Sequence, residues 1–495
     1  MNPPRSLLIV ALTAALILTA CGSDDPPPAQ TVPVAEREEP ARSAPNIVVV
    51  MTDDQTTSTF NSEVMPYTYG LFEDEGVIAT EAIASPPLCC PARAGFLTGQ
   101  YAHNHGVTTN DPGYQSLKDP ENTLPVWLQR AGYKTGLIGK YLSNYELVGD
   151  AQPAPGWDRW FSIMGYAGYQ DFEVSDDGER IRPDGYASTV LSEQAADFVA
   201  DSAGDDEPPF FLWLAYNAPH TVAPGSAEPC SGASPQPENA ADYEPFAAAP
   251  LPEPASFDEA DISDKGRWVS RRRPFDAADI AEITQRWRCT LASLQSVDRG
   301  VETVVDALEQ SGELNETLIV YLSDNGYFFG EHRLPEDKRL PYEPALRIPM
   351  AFLPPGGAEQ EGGELSTLTS NVDLAATFLD YAGAQPCADQ AGTDCRALDG
   401  LSQRPALEGA EQPRAGDRAI PISLTESFTY DAIRTPGYLY MELRADRDGE
   451  LPRRGAELYD LRADPDQLEN LIATDRGGSA ALRKRLARLL DRELR

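Results

Sequence analysis

Short segments that are apolar at almost every position alternate with longer helical segments along this chain of 495 residues. A strand that is apolar throughout is buried on both faces, as in a parallel sheet with helices on either side. The predicted strands are 46–51, 135–139, 209–215 and 317–322, and the predicted helices are 124–131, 187–200, 278–312 and 372–382. This alternation predicts an α/β fold built on a doubly wound, mostly parallel sheet.

The character of the sequence changes twice outside this alternating pattern. Residues 222–276 are rich in proline, alanine and acidic residues, which indicates a long insertion rather than a core element. After about residue 399 the sequence turns to short strand-like runs, and a cationic amphipathic helix over 480–490 ends it. One core seldom serves a chain of this length. We therefore predict a large α/β domain over 46–398 and a smaller α+β domain over 399–495.

The N-terminus carries the features of an export signal. A positive charge precedes an apolar run over 7–17 that is too short to cross a bilayer, and Leu18-Thr19-Ala20-Cys21 follows. These residues predict a signal peptide over 1–20 and, as in a bacterial lipobox, cleavage before a lipid-modified Cys21. The alternative is an ordinary secretory signal with an unmodified cysteine. With 21–45 as a flexible tether, the protein is expected to be exported and anchored by lipid to the bacterial cell membrane.

The charge balance limits the partners that we expect. The chain carries 78 acidic and 40 basic residues, a formal net charge of −38 at pH 7. A surface that binds nucleic acid needs a basic face, so nucleic acid is not an expected partner. An anionic ligand would depend on local cations, for which Arg93, Lys140 and Lys338 are candidates. Lys140 follows a predicted strand, whereas Lys338 lies in a charged loop, where a solvated surface position is the ordinary alternative.

Acidic and amide side chains follow two of the predicted strands at the point where each strand ends. They are the pairs Asp53-Asp54 and Asp324-Asn325. In an open α/β sheet the ligand site lies beyond the carboxyl ends of the strands. Four oxygen-bearing side chains at that edge suit a hard divalent cation, Ca²⁺ or less readily Mg²⁺. The alternative is that each pair caps the helix that follows it.

Histidine is scarce, and the chain has four. His220 comes shortly after the strand over 209–215, where a histidine can protonate a leaving alcohol. The other three, His103, His105 and His332, lie in or beside candidate site segments and are predicted to contact a substrate.

The most specific motif is Cys89-Cys90-Pro91-Ala92-Arg93, with Leu97-Thr98-Gly99 close behind. Taken alone, it could be a buried cysteine pair opening a helix that has proline in its first turn. The motif resembles the signature of the formylglycine-dependent sulfatases of the alkaline phosphatase superfamily. Other segments are similar to the N-acetylglucosamine-6-sulfatase group of that family: Tyr101-Ala102-His103-Asn104-His105, Gly139-Lys140-Tyr141-Leu142, Ser323-Asp324-Asn325-Gly326-Tyr327, Asp337-Lys338-Arg339 and Glu457-Leu458-Tyr459-Asp460-Leu461.

The resemblance implies hydrolysis of a sulfate ester to an alcohol and inorganic sulfate. The implied Ca²⁺ ligands are Asp53, Asp54, Cys89, Asp324 and Asn325, and the implied catalytic residues are Cys89, Arg93, Lys140, His220 and Lys338. Cys89 would be oxidised to 3-oxoalanine (formylglycine) by a formylglycine-generating enzyme. One hydroxyl of its hydrated aldehyde would attack sulfur and displace the alcohol. The second hydroxyl of the diol would then expel sulfate and restore the aldehyde. The implied substrate is a small sulfated sugar or an aryl ester.

Two parts of the chain depart from the family pattern. Ala92 stands where the motif usually has serine, and modification is still expected because it depends mainly on the cysteine, the proline and the arginine. Leu142 stands where many sulfatases have a histidine, and Ser143 where the glucosamine-sulfatase group has an asparagine. Either Asn144 takes over that role, or a second base comes from elsewhere, with His103 and His105 as candidates.

Disulfides are expected among the other cysteines, because the protein is expected to be exported and disulfides persist in oxidising compartments. Cys387 and Cys395 bracket a short loop and form the first predicted pair. Cys230 and Cys289 form the second, which would tie the insertion to a helix. Cys90 is left as the odd thiol.

Two other functions stay open on the sequence. A phosphomonoester or phosphonate hydrolase of the same superfamily would share the fold, the metal and the aldehyde. A surface lipoprotein could instead bind sulfated glycans without turning them over, but binding alone needs no aldehyde precursor. The net negative charge also predicts that small, singly sulfated substrates are preferred over densely sulfated polymers.

Overall fold

The computed structural model describes residues 44–165, 168–204, 207–222, 229–231, 234–356, 362–389, 391–410, 415–425, 429–444, 455–473 and 479–495. The predicted signal peptide, Cys21 and the predicted tether up to residue 43 lie outside these ranges. Within them, none of the helices combines the length and the apolarity that spanning a membrane requires.

A large mixed sheet forms the centre of the fold. The strands of the described residues are β1 (Asn46–Thr52), β2 (Val77–Ala79), β3 (Ala82–Ile83), β4 (Lys134–Gly139), β5 (Arg159–Met164), β6 (Glu173–Asp176), β7 (Glu179–Ile181), β8 (Phe210–Ala215), β9 (Thr317–Ser323), β10 (Met350–Leu353), β11 (Gly363–Leu365), β12 (Thr369–Ser370), β13 (Ile420–Thr425), β14 (Thr429–Thr435), β15 (Tyr438–Leu443) and β16 (Gly455–Asp460). Ten of them pair in the order β11-β2-β10-β9-β1-β8-β4-β5-β6-β7. The five strands from β9 to β5 are parallel to one another, and antiparallel pairs flank them.

Helices cover both faces of this sheet. They are α1 (Pro66–Glu75), α2 (Cys89–Thr98), α3 (Ala102–His105), α4 (Leu124–Arg130), α5 (Glu146–Gly149), α6 (Ala187–Ala200), α7 (Ala240–Tyr243), α8 (Arg267–Ser270), α9 (Ala277–Ser311), α10 (Glu343–Leu346), α11 (Asp373–Ala382), α12 (Arg404–Leu407) and α13 (Ser479–Glu493). Side chains alternate across a strand. Val48 and Val50 of β1 therefore join one core with residues of α6 and α9, while Ile47 and Val49 join the other with residues of α2 and α11. The predicted doubly wound α/β sheet is confirmed.

The longest helix, α9, has 35 residues and a defined start and end. Asp276 and Asp279 form a capping box at its N-terminus, and Gly312 ends it in the left-handed region, at φ 78°. Cys289 on this helix is bonded to Cys230, and Cys387 is bonded to Cys395, as predicted. The first bond ties the predicted insertion to α9.

Asp298 of α9 supplies a cap that α1 lacks in its own sequence. The residue before α1 is Met65, which has no side-chain oxygen, and the backbone amides of Tyr67 and Thr68 donate to the Asp298 carboxylate at 3.2 and 2.8 Å. We expect Asp298→Ala to lower the free energy of unfolding by about 1–3 kcal/mol, because these buried amides lose their acceptor. Denaturant unfolding measures this, with Asp306→Ala, exposed on the same helix, as the control. Equal stability of the two variants would contradict the capping role.

A second, antiparallel sheet of β13, β14, β15 and β16 forms in the C-terminal part of the chain. Leu486 and Leu490 of α13 pack against Ile433, Tyr440 and Leu458 on one face of this sheet. The other face joins a core that also contains residues from the first 350 positions, such as Phe328 and Leu346. The α+β character predicted for this part is confirmed, and the domain boundary at residue 399 stays a prediction.

Candidate active site

The carboxyl ends of four neighbouring strands gather the predicted site residues at one edge of the sheet. Asp53 and Asp54 follow β1, Asp324 and Asn325 follow β9, and Lys140 follows β4. His220 comes five residues after the last residue of β8, Ala215. Since β4, β8, β1 and β9 are adjacent and parallel, the residues that follow them meet at the same edge.

Gly139 makes the position of Lys140 possible. Its backbone lies in the left-handed region at φ 115°, and a Cβ atom there would be 1.9 Å from the carbonyl oxygen of Ala215. That same oxygen accepts a hydrogen bond from the backbone amide of Lys140 at 2.7 Å. Only glycine allows this approach without displacing β8, and the contact fixes the direction in which the Lys140 side chain leaves the strand.

Cys89 is the first residue of α2, and the N-terminus of this helix faces the strand ends. Pro91 lies in the first turn, where its missing N–H costs no helical hydrogen bond. The helix N-terminus carries a partial positive charge, which favours an anion at this end. The alternative of a purely structural cysteine pair applies to Cys90, which packs in the core, whereas Cys89 lines a pocket.

Three carboxylates and three cationic side chains form one buried network. The Arg93 Nε donates to Asp324 Oδ2 at 2.7 Å, and its guanidinium also donates to the carbonyl oxygen of Lys140 at 2.6 Å. Lys140 is paired with Asp53, and Lys338 with Asp54. The predicted surface alternative for Lys338 is excluded, because this residue is only 8 % exposed.

Cys89 lies at the centre of this network. Its Sγ is 3.3 Å from Asp53 Oδ1 and accepts from the Lys338 Nζ at 3.0 Å. The His220 Nε2 is 3.7 Å from Asp54 Oδ2, so the imidazole also borders the network. The structure therefore brings together all five predicted catalytic residues.

The charges of the network shift the pKa of its members in opposite directions. Burial would raise the pKa of Asp53, but the surrounding cationic groups, Lys140 foremost, outweigh it and hold that pKa well below its usual range. Burial and the Asp53 carboxylate raise the pKa of the Cys89 thiol far above its ordinary value. Burial and the charge of Lys338 lower the pKa of His220. An unmodified Cys89 is therefore a neutral thiol, which is a weak nucleophile.

The oxygen atoms of the network fit a hard divalent cation. Asp53, Asp54 and Asp324 are all buried, and one ligand atom each from Asp53, Asp54, Cys89 and His220 lie within 4.8 Å of one another. The Asn325 Oδ1 is also buried and has no hydrogen-bond partner among the described residues. A buried amide oxygen without a partner is costly unless something else binds it. Carboxylate and amide oxygens are the donors that Ca²⁺ and Mg²⁺ prefer.

A pocket of about 520 Å³ opens above Cys89. The predicted site residues Asp53, Cys89, Lys140, Asn144 and His220 line it. The walls also include residues that we did not predict, namely Asn110, Asp111, Glu146, Leu147, Ile163 and Asn217. Asn217 could have been found, because it stands three residues before His220 in the same strand-end loop. Asn110 and Asp111 lie in a loop whose sequence carries no comparable signal.

The structure does not bring the other three histidines to this pocket. None of His103, His105 and His332 is among the described residues that line it. His105 is fully buried, and its Nδ1 accepts from the backbone amide of Val107. His332 is fully buried with its Nδ1 2.6 Å from Glu259 Oε2. These contacts give His105 and His332 structural partners and argue against the predicted contact with a substrate.

The segment in which the family pattern has a second histidine or an asparagine carries an apolar, a hydroxyl and an amide side chain in this protein. Leu142, Ser143 and Asn144 all line the pocket, and the Asn144 Nδ2 donates to Asp111 Oδ1 at 3.3 Å. Among the described lining residues, His220 is the single imidazole. Of the two options left open by the sequence, the placement favours Asn144 over a base from the 101–105 segment.

Comparisons with known proteins agree with this site. The family model described as Sulfatase matches residues 45–384. The N-acetylglucosamine-6-sulfatase of Homo sapiens is 30 % identical over 478 residues, which are 87 % of this chain and 81 % of that protein. An extracellular sulfatase SULF-1 homologue of Drosophila melanogaster is 32 % identical over 68 % of this chain, but the match spans only 30 % of that protein.

A solved structure has a similar fold, so the similarity to known proteins holds for the three-dimensional structure as well as for the sequence. It is described as a complex with its substrate D-glucosamine-2-N,6-O-disulfate, and it superposes with a TM-score of 0.70 at 25 % identity, covering 91 % of this chain and 98 % of that one. The family model covers well over half of the chain, and it includes the cysteine motif and all four strand ends. The chain therefore belongs to the sulfatase family, whose members hydrolyse sulfate esters.

Proposed function

We propose that the protein hydrolyses a sulfate ester of an amino sugar, using a formylglycine made from Cys89 and a bound Ca²⁺. The observation that carries this proposal is the placement of Cys89 in the lining of the pocket, in contact with both Asp53 and Lys338. As a hydrated aldehyde, residue 89 would supply the nucleophilic oxygen that the neutral thiol lacks.

The side chains around Cys89 have separate tasks in such a reaction. The ammonium group of Lys140 lines the pocket, and that of Lys338 contacts residue 89, so both would offset the charge of an anionic ester bound there. Arg93 is fully buried and holds Asp324 and the backbone at Lys140, so it orients the network. His220 lines the pocket and can donate a proton to the leaving alcohol.

The metal would be held by Asp53, Asp54, Asp324 and Asn325 together with residue 89. When bound, a divalent cation supplies positive charge that polarises the ester and stabilises the anionic transition state. The donors are oxygen atoms with no soft ligand once Cys89 is oxidised, which favours Ca²⁺ or Mg²⁺ over a transition metal.

The size and polarity of the pocket support a sugar substrate. A cavity of about 520 Å³ is in the range of small-molecule sites. Asp111, Asn144 and Glu146 offer hydrogen-bonding groups for hydroxyl and amino substituents, and Leu147 and Ile163 offer apolar surface. The solved relative is described with a disulfated glucosamine as its substrate, and the human relative is named for a sulfated N-acetylglucosamine. An aryl sulfate is the alternative substrate of the same reaction.

The burial of Cys89 bears on its modification. At 1 % exposure, this side chain is out of reach of another enzyme in the folded protein. A formylglycine-generating enzyme would therefore act before the chain folds. We propose that this occurs during export, followed by attachment of Cys21 to lipid on the extracytoplasmic side of the membrane.

A comparison of sulfate and phosphate release tests the proposed function. The protein is incubated with glucosamine-6-sulfate, glucosamine-6-phosphate, and the corresponding aryl sulfate and phosphate, and the mass of the peptide containing residue 89 is measured. We expect oxidation of residue 89 and faster release of sulfate than of phosphate. Faster phosphate release would favour the phosphomonoester or phosphonate hydrolase. Binding of the sulfated sugar without release of sulfate would favour the non-catalytic lipoprotein.

Asn217 gives a further prediction for the same pocket. Its side chain is 5 % exposed, and neither its amide nitrogen nor its oxygen has a hydrogen-bond partner among the described residues. We expect it to donate to the substrate, so Asn217→Ala should lower kcat/KM about 10- to 100-fold while Tm changes little. Asn217→Asp keeps the shape but adds a negative charge, so it should be more damaging. A loss of Tm with unchanged kcat/KM would show a structural role instead.

A further inference from the structure

A groove lined by arginine lies in the C-terminal part of the chain. It has a volume of about 740 Å³ and lies between α13 and the turn that joins β14 to β15. Five arginines line this groove: Arg418, Arg462, Arg485, Arg488 and Arg492. Asp417 is the single acidic residue among the described lining residues. The groove shares no described lining residue with the active-site pocket.

The arginines of α13 form one face of the helix. Arg485, Arg488 and Arg492 are spaced by three and four residues, so they lie on the same side, and all three are exposed. The neighbouring Leu486 and Leu490 pack into the core beneath. This packing fixes the rotation of the helix and therefore keeps the arginine face turned toward the groove.

Most of this positive charge is not neutralised within the protein. Among the described residues, Arg462, Arg485 and Arg488 form no ion pair, while Arg418 pairs with Asp373 and Arg492 with Glu493. Like charges that converge on one groove repel each other. Acidic side chains that could pair with arginine are abundant in a chain with a net charge of −38. Arginines that stay unpaired in one groove therefore indicate an external anionic ligand.

The length of the arginine face indicates a ligand with several anionic groups. Arg492 lies seven positions after Arg485, which corresponds to about 10 Å along a helix. A single sulfate or phosphate can accept hydrogen bonds from one or two of these guanidinium groups. Neutralising the whole face takes anionic groups repeated along a chain.

We propose that this groove is a second binding site, for a glycan chain that carries several sulfate groups. Guanidinium groups bind sulfate in a planar, bidentate manner, and Tyr438 lines the groove with an amphipathic ring suited to a sugar face. A concave groove encloses a chain, whereas a planar anionic membrane would meet only its rim. The net charge predicts that densely sulfated polymers are disfavoured as substrates, whereas the arginines of this groove supply local positive charge away from the active-site pocket.

Equilibrium binding of a labelled heparin decasaccharide, used as the densely sulfated probe, tests the proposal. We expect binding that weakens as salt rises. The double variant Arg485→Gln/Arg488→Gln should bind at least about 10-fold more weakly. The matched control is Arg483→Gln/Lys484→Gln, which removes the same charge from the same helix outside the groove and should bind nearly as well as the unaltered protein. Repeating the titration with Cys89→Ala separates binding here from turnover in the active-site pocket.

Three results would overturn the proposal. Equal weakening in both double variants would show a general charge effect rather than a site. A second contrary result is that the protein does not bind heparin but binds vesicles that contain phosphatidylglycerol, and that the groove variant loses this vesicle binding. That result would assign the arginine face to a membrane. Absence of binding to either probe at low salt would leave the groove without an anionic ligand. If the Cys89→Ala variant still binds heparin, and the groove substitutions abolish that binding, the proposal is supported even if the protein proves not to hydrolyse sulfate esters.

Discussion

Replacing Cys89 with alanine will abolish turnover of sulfate esters while leaving the fold intact. The substitution removes only the sulfur atom, which contacts Asp53 and Lys338. The helix is retained because alanine favours helical structure in the first turn of α2. We expect kcat to fall by about 10⁴-fold or more, as when the nucleophile is removed from other hydrolases that act through a covalent intermediate. Sulfate release measures the activity, and Tm measures the fold.

Cys90 provides the matched control for this prediction. It has the same side chain, is also fully buried, and lies one residue away, but it packs in the hydrophobic core and does not line the pocket. Cys90→Ala should cost about 1 kcal/mol of stability and keep its activity per folded molecule. If Cys89→Ala kept even a tenth of the original kcat, the nucleophile would have to be another group.

Cys89→Ser distinguishes a hydrated aldehyde from a simple hydroxyl nucleophile. A serine can accept the sulfuryl group, but it has no second hydroxyl with which to expel sulfate. We expect a single turnover that leaves a covalent sulfate ester on residue 89, visible as added mass on that peptide. Sustained turnover by the serine variant would show that the second hydroxyl is not needed.

Strand ends were the part of the site that the sequence predicted best. A strand such as β1, which is buried on both faces, has a continuous apolar sequence, and the polar residues that follow it must lie at the sheet edge. Asp53, Asp324 and Lys140 could be located in this way from the pattern of residues alone. Charge alone made Lys338 a candidate cation, but only the resemblance placed it at the site, because its charged surroundings are typical of a surface loop.

The residues that the sequence missed depend on folding over long distances. Asn217 and Asp111 become pocket residues only because separate loops meet there, and no local pattern records such a meeting. His332 is absent from the described lining of the pocket for the converse reason. Its neighbourhood in sequence resembled a site segment, but its side chain pairs with Glu259 of the insertion, 73 residues away. The arginine groove likewise combines residues of α13 with the turn between β14 and β15 and with residues just before β13 and just after β16, and total charge cannot reveal such a grouping.

Replacing Asp324 with asparagine will remove both the activity and the stabilisation by metal. Asp324 is 1 % exposed, its Oδ2 accepts from the Arg93 Nε, and burial together with Asp53 raises the pKa of its carboxyl. The asparagine variant keeps the shape but lowers the negative charge of the proposed ion site by one. We expect kcat/KM to fall about 10³-fold or more, because the proposed cation acts directly on the ester.

A thermal titration separates the metal role of Asp324 from a purely structural one. An ion that binds only the folded state stabilises it by about 2.7 kcal/mol at 100 times its Kd. We therefore expect Tm of the unaltered protein to rise with added Ca²⁺ after chelation, and Tm of Asp324→Asn to stay constant. Asp298→Asn is the matched control, since this aspartate is also buried but only caps α1. It should lower Tm in both conditions and keep the full Ca²⁺-dependent rise. A Ca²⁺-dependent rise of equal size in Asp324→Asn would place the ion elsewhere, because a carboxylate that binds the cation cannot be neutralised without weakening it.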